Sequence, residues 1–552
     1  MHVPKGNKDL IDFCRNTIAE CVYSQDERAQ IGQLCQNYYD YGTDSNKASL
    51  YNRTAIHVDR LGSYLFAPAE VRYTITFDAT DGEPWLARAS AAAKYLSREY
   101  RRADADVLFT HGVKMGLIKG ASIFKHNYSP FDKCLDPVLV APEFFGVARE
   151  DLDRVVDQPA LCHTQWLSKS QLLALARTKA EHSELTDAIN KLATRSKANP
   201  ERNKWLHEVI IGGVQPVITT GTPSPSGGRV AVTASAASTL SPRTSAELLR
   251  LDELWVIDDE REDYTTLQLI EGEILLEGRY KHRNLTGVKM LQPFSKICPN
   301  PLPGYFWGQS EVLRVRSLQD MLTERMDDIR RLLKLQVKPP KAFIGFSGLT
   351  AQKMRAAMSP GGFLQEQSPG AKVENLIPNI PQEAFVEVEK IVQMFDEIGG
   401  FKPILQGEGE AGVRAGTHAR TLLRTASPKL REKALFVERD AEQSATITME
   451  ILQAKDARVF VSRDKEQFLL KQLPEDYHVE VDSHSSSPAF SDDARELAFA
   501  LKSNGAIDAE ELIRLTHPPM EDLLIAGARK RAEAQAKMIA EHPELLTKGK
   551  KA

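Results

Sequence analysis

Basic side chains without neighbouring carboxylates are the residues of this sequence whose type and spacing best fit a chemical role. No Asp or Glu occurs in positions 330–341 or 411–431, although both stretches contain several arginines and lysines. Guanidinium and ammonium groups contact phosphate oxygens without reading a base sequence. The basic side chains of these stretches, and of the glycine-rich segment before the second, are Arg330, Arg331, Lys334, Lys338, Lys341, Lys402, Arg414 and Arg420. Their position at and beyond the end of a long predicted helix indicates a polyanion nearby.

Each of these basic side chains has an alternative role as a structural ion-pair partner. Asp327 and Asp328 lie about one helical turn before the first of them, which is the spacing of side-chain pairs on a helix. A carboxylate from a neighbouring subunit is a second possible partner. The sequence alone leaves these alternatives open.

Motifs for catalysis or cofactor binding are incomplete. GEGEAG at 407–412 has the spacing of a dinucleotide-binding loop, but its two glutamates stand where a pyrophosphate must approach. The Gly-Lys pair at 549–550 is followed by lysine, where a P-loop has Ser or Thr. HExxH at His207 and GxSxG at Ser310 each lack their closing residue, and His163 beside Cys162 has no second ligand pair. We therefore predict no catalytic, cofactor-binding or metal-binding residues, and a protein that is not an enzyme.

An acidic run at 258–263 (DDERED) lies between two alternating apolar segments. Carboxylates suit Mg²⁺, so a cation site is one interpretation. A position between two predicted antiparallel strands favours a solvated turn instead.

Composition sets limits on the class of protein. The chain has 552 residues, 42% hydrophobic and 26% charged, with a net charge of −4, which is typical of a globular protein of several regions. Near-neutral charge excludes a uniformly basic nucleic-acid binder but permits a locally basic channel. Six cysteines without paired spacing predict reduced thiols, and Cys14 and Cys21 fit core packing. Neither a leader sequence nor a membrane span is predicted.

A long amphipathic helix precedes and includes the first basic run. Apolar residues at intervals of three and four place one side of this helix against a neighbour: Val312, Val315, Leu318, Leu322, Met326, Ile329 and Leu333. Ser310 is a predicted N-cap, and the Lys-Pro-Pro at 338–340 ends the pattern. A helix from Ser310 to about Gln336 is roughly 40 Å long.

The sequence PGYFWGQSEV at 303–312, followed by a long helix with a Gln-Asp pair and a Lys/Pro-rich exit, resembles the stem-helix entry of the portal proteins of tailed bacteriophages. The resemblance extends over most of residues 30–455. It implies an α+β portal fold whose parts are a wing (1–302), a stem helix (303–337), an α/β clip (338–380), a second stem helix (381–398), a tunnel loop (399–416), a long kinked helix (417–455) and a helical crown (456–552).

Portal proteins form a dodecameric ring at one capsid vertex, through which DNA is packaged and ejected. The resemblance therefore implies these partners: other copies of the chain, double-stranded DNA, the terminase large subunit, head-tail adaptor or tail proteins, and capsid and scaffolding proteins. It also implies that the basic residues of the stem exit, clip and tunnel loop contact DNA in the channel: Arg330, Arg331, Lys334, Lys338, Lys341, Lys402, Arg414 and Arg420. It implies location at the portal vertex of the virion, with assembly in the host cytoplasm. A different virion structural protein and a phage DNA-processing enzyme are the alternatives.

Local patterns predict the remaining elements. Helices are expected in 8–40, 52–66, 85–100 and 103–118, and a half-buried strand at 71–77. The Gly/Ser/Thr/Pro-rich segment 212–245 predicts a mobile surface insertion within a β region. A kink is expected near Pro428, between predicted helices at 417–426 and 429–455.

Overall fold

The computed structural model describes residues 1–4, 7–44, 48–66, 71–77, 83–129, 133–177, 182–196, 220–223, 229–232, 248–259, 263–281, 292–337, 341–344, 372–375, 382–400, 428–461, 466–474, 477–482 and 498–509, with isolated residues within 350–370 and 512–534. Its helices are α1 (Asn7–Cys21), α2 (Gln25–Tyr41), α3 (Arg53–Leu65), α4 (Glu83–Arg102), α5 (Ala105–Lys119), α6 (Lys169–Arg177), α7 (His182–Ser196), α8 (Glu311–Val337), α9 (Glu383–Gly399) and α10 (Pro428–Ala454).

The strands are β1 (Arg72–Phe77), β2 (Ser122–Lys125), β3 (Tyr128–Ser129), β4 (Cys134–Leu135), β5 (Val138–Val140), β6 (Phe145–Val147), β7 (Ala160–Ser168), β8 (Thr220–Pro223), β9 (Arg229–Val232), β10 (Leu248–Asp258), β11 (Asp263–Ile270), β12 (Ile274–Lys281), β13 (Phe294–Ile297), β14 (Lys341–Ile344), β15 (Lys372–Asn375), β16 (Arg458–Val461), β17 (Glu466–Leu469) and β18 (Tyr477–Asp482). The chain is therefore a mixed α+β protein, as predicted.

A five-stranded antiparallel sheet has the order β12-β11-β10-β7-β6. Successive side chains of a strand point to opposite faces. On β10, Leu254 and Val256 pack with the apolar side of α1, which includes Cys14 and Cys21. Trp255 packs on the other face, against the three-stranded sheet β13-β2-β5 and the segment before α8. All six cysteines are free thiols in this structure.

The largest core joins distant parts of the sequence. Strand β1 pairs antiparallel with β18, from Arg72 opposite Asp482 to Phe77 opposite Tyr477. Helices α3, α4, α5 and α10 contribute buried residues to this core, together with β16, β17 and β18. Strands β16, β17 and β18, in the region that the resemblance assigns to the crown, thus share a core with α3, α4, α5 and α10. The division into wing and crown stays a prediction.

The segment between β7 and β10 is an insertion between neighbouring strands, since these two strands pair directly. It contains α6, α7 and the hairpin β8-β9, in which Thr220 is opposite Val232. The predicted segment 212–245 therefore lies between two paired strands, and its mobility stays a prediction. The rest of 212–245 falls outside the described residues.

Several predictions concern residues that the structure does not describe. The tunnel loop beyond residue 400 and the helix at 417–426 are among them, so the kink also stays a prediction. Helix α10 begins at Pro428, and proline is well suited to the first turn of a helix because that turn needs no amide donor.

Candidate nucleic-acid interface

The segment that enters α8 is fixed by polar contacts with the body. Ser310 Oγ accepts the Leu313 amide at 3.4 Å, so Ser310 is the N-cap that the sequence predicts, and it also donates to the Ile118 carbonyl. Trp307 Nε1 donates to Glu150 at 2.8 Å, and the Arg28 guanidinium lies 4.0 Å from the Trp307 ring centroid. The PGYFWGQS sequence therefore sets the position from which α8 leaves the body.

Glu311, the first residue of α8, is the centre of a buried polar cluster. Its carboxylate is fully buried and accepts from Lys433 Nζ at 2.6 Å, Asn300 Nδ2 at 3.0 Å and His57 Nε2 at 3.2 Å. Arg314 approaches the same carboxylate at 3.5 Å. Burial alone raises the pKa of Glu311, but the His57 hydrogen bond and the Lys433 ammonium outweigh it and lower the pKa to about 2. The carboxylate is thus ionised and connects α8 to α3 and α10.

The Gln-Asp pair of α8 forms a second set of anchors. Gln319 Oε1 accepts the amides of Arg53 at 2.9 Å and Thr54 at 3.1 Å, so it caps the first turn of α3 from another helix. Its Nε2 donates to the Tyr51 carbonyl at 3.0 Å. Asp320 accepts from the Tyr38 hydroxyl at 2.6 Å, which links α8 to α2.

Replacing Gln319 by leucine is expected to lower the free energy of unfolding by about 1–3 kcal/mol, because two buried amides of α3 lose their acceptor. Chemical denaturation of both proteins measures this difference. Gln30→Leu, at an exposed site on α2, is the matched control and should change stability by less than about 0.5 kcal/mol. Equal effects of the two substitutions would contradict the capping role.

Helix α9 returns antiparallel along α8. Arg325 Nε donates to Glu387 at 3.0 Å. Nearer the body, Arg53 bridges the pair, since it binds Asp396 at 2.7 Å while its amide donates to Gln319. Later residues of α9 thus meet earlier residues of α8. Between them lies an apolar contact centred on four buried residues: Val315, Leu322, Ile391 and Phe395.

The structure describes half of the predicted DNA-contacting residues. Arg330, Arg331 and Lys334 are exposed in the last two turns of α8. Arg331 lies 3.9 Å from Asp328, a partner that the sequence offered as an alternative, and its side chain stays 77% exposed. Lys341 begins β14, which pairs with β15. Lys338, Lys402, Arg414 and Arg420 lie outside the described residues.

Basic residues in the last turns of α8 also stabilise the helix, because the carboxyl-terminal end of a helix carries a partial negative charge. This effect explains part of the clustering without any ligand. The far end of α8 therefore presents at least three exposed cations, on a helix whose near end is rigidly held.

The anchoring residues were not predicted as a cluster. Glu311 and Lys433 are 122 positions apart, and His57 is 254 positions from Glu311. In the sequence, Lys433 stands among the apolar positions of a predicted helix, and this placement is the one signal that could have suggested burial. Such a residue is most often solvent-facing, so the signal does not identify a buried partner.

The acidic run at 258–263 differs partly from its prediction. It connects β10 to β11, with Asp258 opposite Asp263, as predicted for antiparallel strands. Asp258 is 3% exposed, so the expectation of a fully solvated turn is wrong at this residue. The Met1 amino group donates to the Ile257 carbonyl at 2.9 Å and to the Asp259 carboxylate just after β10.

His163 belongs to a buried ion-pair cluster. Gln165 Nε2 lies 2.9 Å from His163 Nδ1, and Lys125 Nζ donates to Glu253 at 2.8 Å beside it. Burial and the nearby lysine lower the pKa of His163 to about 3. Among the described residues, no group of three or more His, Cys, Asp or Glu is arranged to hold a metal ion. No helix within the described ranges is long and apolar enough to cross a bilayer.

Comparison with solved structures finds similarity to a chain of the structure described as "Virion of native gene transfer agent (GTA) particle". The TM-score is 0.38 and the sequence identity 11%, over 84% of this chain and 89% of the other. Neither a protein-family model nor a curated protein matches this sequence. A TM-score of this size supports no functional assignment.

Proposed function

We propose that this chain is a portal protein, the subunit of a ring that surrounds a DNA channel at one vertex of a phage-like capsid. The observation that carries the proposal is the helix pair α8 and α9. The pair is held to an α+β body by the buried carboxylate of Glu311 and the buried amide of Gln319, and its distal end bears Arg330, Arg331 and Lys334. This geometry supports the stem that the sequence resemblance implies.

A ring of such helices suits DNA passage for an electrostatic reason. Duplex DNA carries about one negative charge per 1.7 Å of axis, so a channel must attract it without holding it at fixed positions. Basic side chains repeated around a ring contact phosphates without regard to sequence. A few cations per subunit are enough, because the ring multiplies them.

In this proposal the protein acts mechanically and not as an enzyme. It supports genome packaging and ejection, and it binds the terminase large subunit, head-tail adaptor or tail proteins, and capsid and scaffolding proteins. It is located at the portal vertex of the virion after assembly in the host cytoplasm.

Electron microscopy of the purified full-length protein tests the proposal. We expect ring-shaped particles of about twelvefold symmetry, with an opening wide enough for duplex DNA. Monomers or small closed oligomers that persist at all protein concentrations would contradict the portal assignment. A saturable nucleotide-binding signal would instead favour a DNA-processing enzyme.

The double substitution Arg330→Gln/Lys334→Gln removes two positive charges. We expect it to weaken the binding of a 30-base-pair DNA duplex, while the protein still forms rings. Loss of each phosphate contact reduces the slope of log Kobs against log salt by about 0.9. Fluorescence anisotropy over a salt series measures this slope.

The matched control for this variant is Arg177→Gln/Lys191→Gln, which removes two exposed cations from α6 and α7 in the body. We expect the control to keep the wild-type slope. If the Arg330/Lys334 variant also keeps it, these two side chains do not contact DNA.

A further inference from the structure

Helix α8 has a second line of residues, on the side opposite α9, that is suited to packing. Its members are spaced by three or four positions, which places them on one side of the helix. We call this set the outer stripe: Leu313, Ser317, Met321, Glu324, Asp328, Arg331 and Leu335. Leu313, Met321 and Leu335 are 39%, 44% and 43% exposed, so the outer stripe carries three exposed apolar side chains among four polar ones.

Helix α9 also has an outward side, turned away from α8. Val386, Lys390, Gln393 and Glu397 are spaced by three or four positions and are all exposed. Val386 is 47% exposed. We call this set the α9 outer face.

One pair of opposite charges, Glu324 and Lys390, lies at the same height on the two surfaces of the helix pair. The Arg325–Glu387 contact fixes the relative height of the helices. At about 1.5 Å per residue, Glu324 and Lys390 lie within about 3 Å of the same height, and so do Ser317 and Gln393. An acidic residue of one surface therefore faces a basic residue of the other, when two copies stand side by side.

We infer that the outer stripe of α8 binds the α9 outer face of a second copy of this chain, with Glu324 paired to Lys390. The two surfaces differ, so the contact is of the head-to-tail type, which closes into a ring when the rotation between copies permits. The inference rests on the proposed ring and adds the surface by which the subunits join. The inference also gives the three exposed cations different roles. Arg331 belongs to the contact between subunits, while Arg330 and Lys334 lie on another side of α8.

Disulfide trapping tests the contact in the full-length protein. Ser317→Cys/Gln393→Cys, in a Cys134→Ala background, is oxidised and run on a non-reducing denaturing gel. Within one copy the two cysteines point away from each other across a helix pair about 8–10 Å apart, too far for a bond that needs Cα atoms within about 7 Å. We expect a ladder of covalent oligomers from the double variant and none from either single-cysteine variant.

Charge exchange gives a second measurement that does not depend on oxidation. Glu324→Lys is expected to lower the fraction of assembled protein about tenfold at a fixed concentration, and Glu324→Lys/Lys390→Glu to restore it to within about twofold. Rings that form without a ladder and without this rescue would overturn the surface assignment and leave the proposed function standing. Absence of any ring, for wild type as well, would overturn both.

Discussion

Replacing Glu311 by alanine is expected to lower the free energy of unfolding by about 3–5 kcal/mol, because the Lys433 ammonium then stays buried without its counter-charge. Lys433 donates to Glu311 at 2.6 Å, and its side chain is 8% exposed. Chemical denaturation at neutral pH measures the change. Glu432→Ala, at the exposed neighbour of Lys433, is the control and should have an effect below about 0.5 kcal/mol.

A double substitution separates loss of the ion pair from loss of packing. Glu311→Gln/Lys433→Met removes both charges, so we expect it to cost less than the sum of the two single changes. Strict additivity would mean that the two side chains act independently.

The same cluster predicts a pH dependence. The pKa of Glu311 falls from 4.5 to about 2 on folding, so its stabilising contribution is complete above pH 4.5 and is lost as the pH falls toward 2. Wild-type stability should therefore drop more steeply in this window than that of Glu311→Gln. Parallel pH profiles of the two proteins would show that Glu311 does not titrate in this way.

Replacing Gly308 by alanine is expected to lower the free energy of unfolding by about 2–4 kcal/mol, through backbone strain together with overpacking. Gly308 has φ +67°, and a Cβ there would clash with Cys298 Sγ and would lie 2.8 Å from the Asn300 carbonyl oxygen. Thermal and chemical denaturation measure the loss.

Gly304 provides the matched control in the same segment. It also has a positive φ, +71°, but a Cβ at this position would meet no atom within 4 Å. Gly304→Ala should therefore cost about 1–2 kcal/mol, from the backbone conformation alone. If both substitutions cost the same, close packing around Gly308 contributes nothing to stability.

The bounds of α8 and α9 could be predicted closely from sequence patterns. The spacing of apolar residues predicts α8 from Ser310 to about Gln336, and the structure has it at Glu311–Val337 with Ser310 as its cap. The predicted second helix at 381–398 is observed at Glu383–Gly399. These features depend on residues close together in the chain, so local spacing and capping chemistry suffice to predict them.

Leu333 shows where the same pattern is incomplete. It continues the apolar spacing of α8, yet it is 46% exposed. The partner helix α9 begins at Glu383. Because Arg325 lies beside Glu387 in the antiparallel pair, α9 does not reach the level of Leu333 along α8. Spacing identifies the side of a helix that can pack, but the length of its neighbour decides how many of those residues are covered.

The candidate site likewise has one part that local sequence predicts and one part that only the fold brings together. Sequence reasoning identifies Arg330, Arg331 and Lys334 because acid-free basic runs are visible in the chain. It does not identify the cluster around Glu311, whose members come from three helices and the segment before α8. Nothing in the local pattern distinguishes a buried lysine with a partner from a solvated one.

The sequence by itself determined the helices α1–α5 and α8–α10, the strand at 71–77, the mixed α+β class and the resemblance that motivates the functional proposal. The tertiary structure decided that β1 pairs with β18, that Gln319 caps α3, and that Glu311 is ionised in the interior. The physical reason is range. Helix and strand periodicity reflect the geometry of adjacent residues, whereas burial, ion pairing and strand partners depend on which distant segments exclude water together.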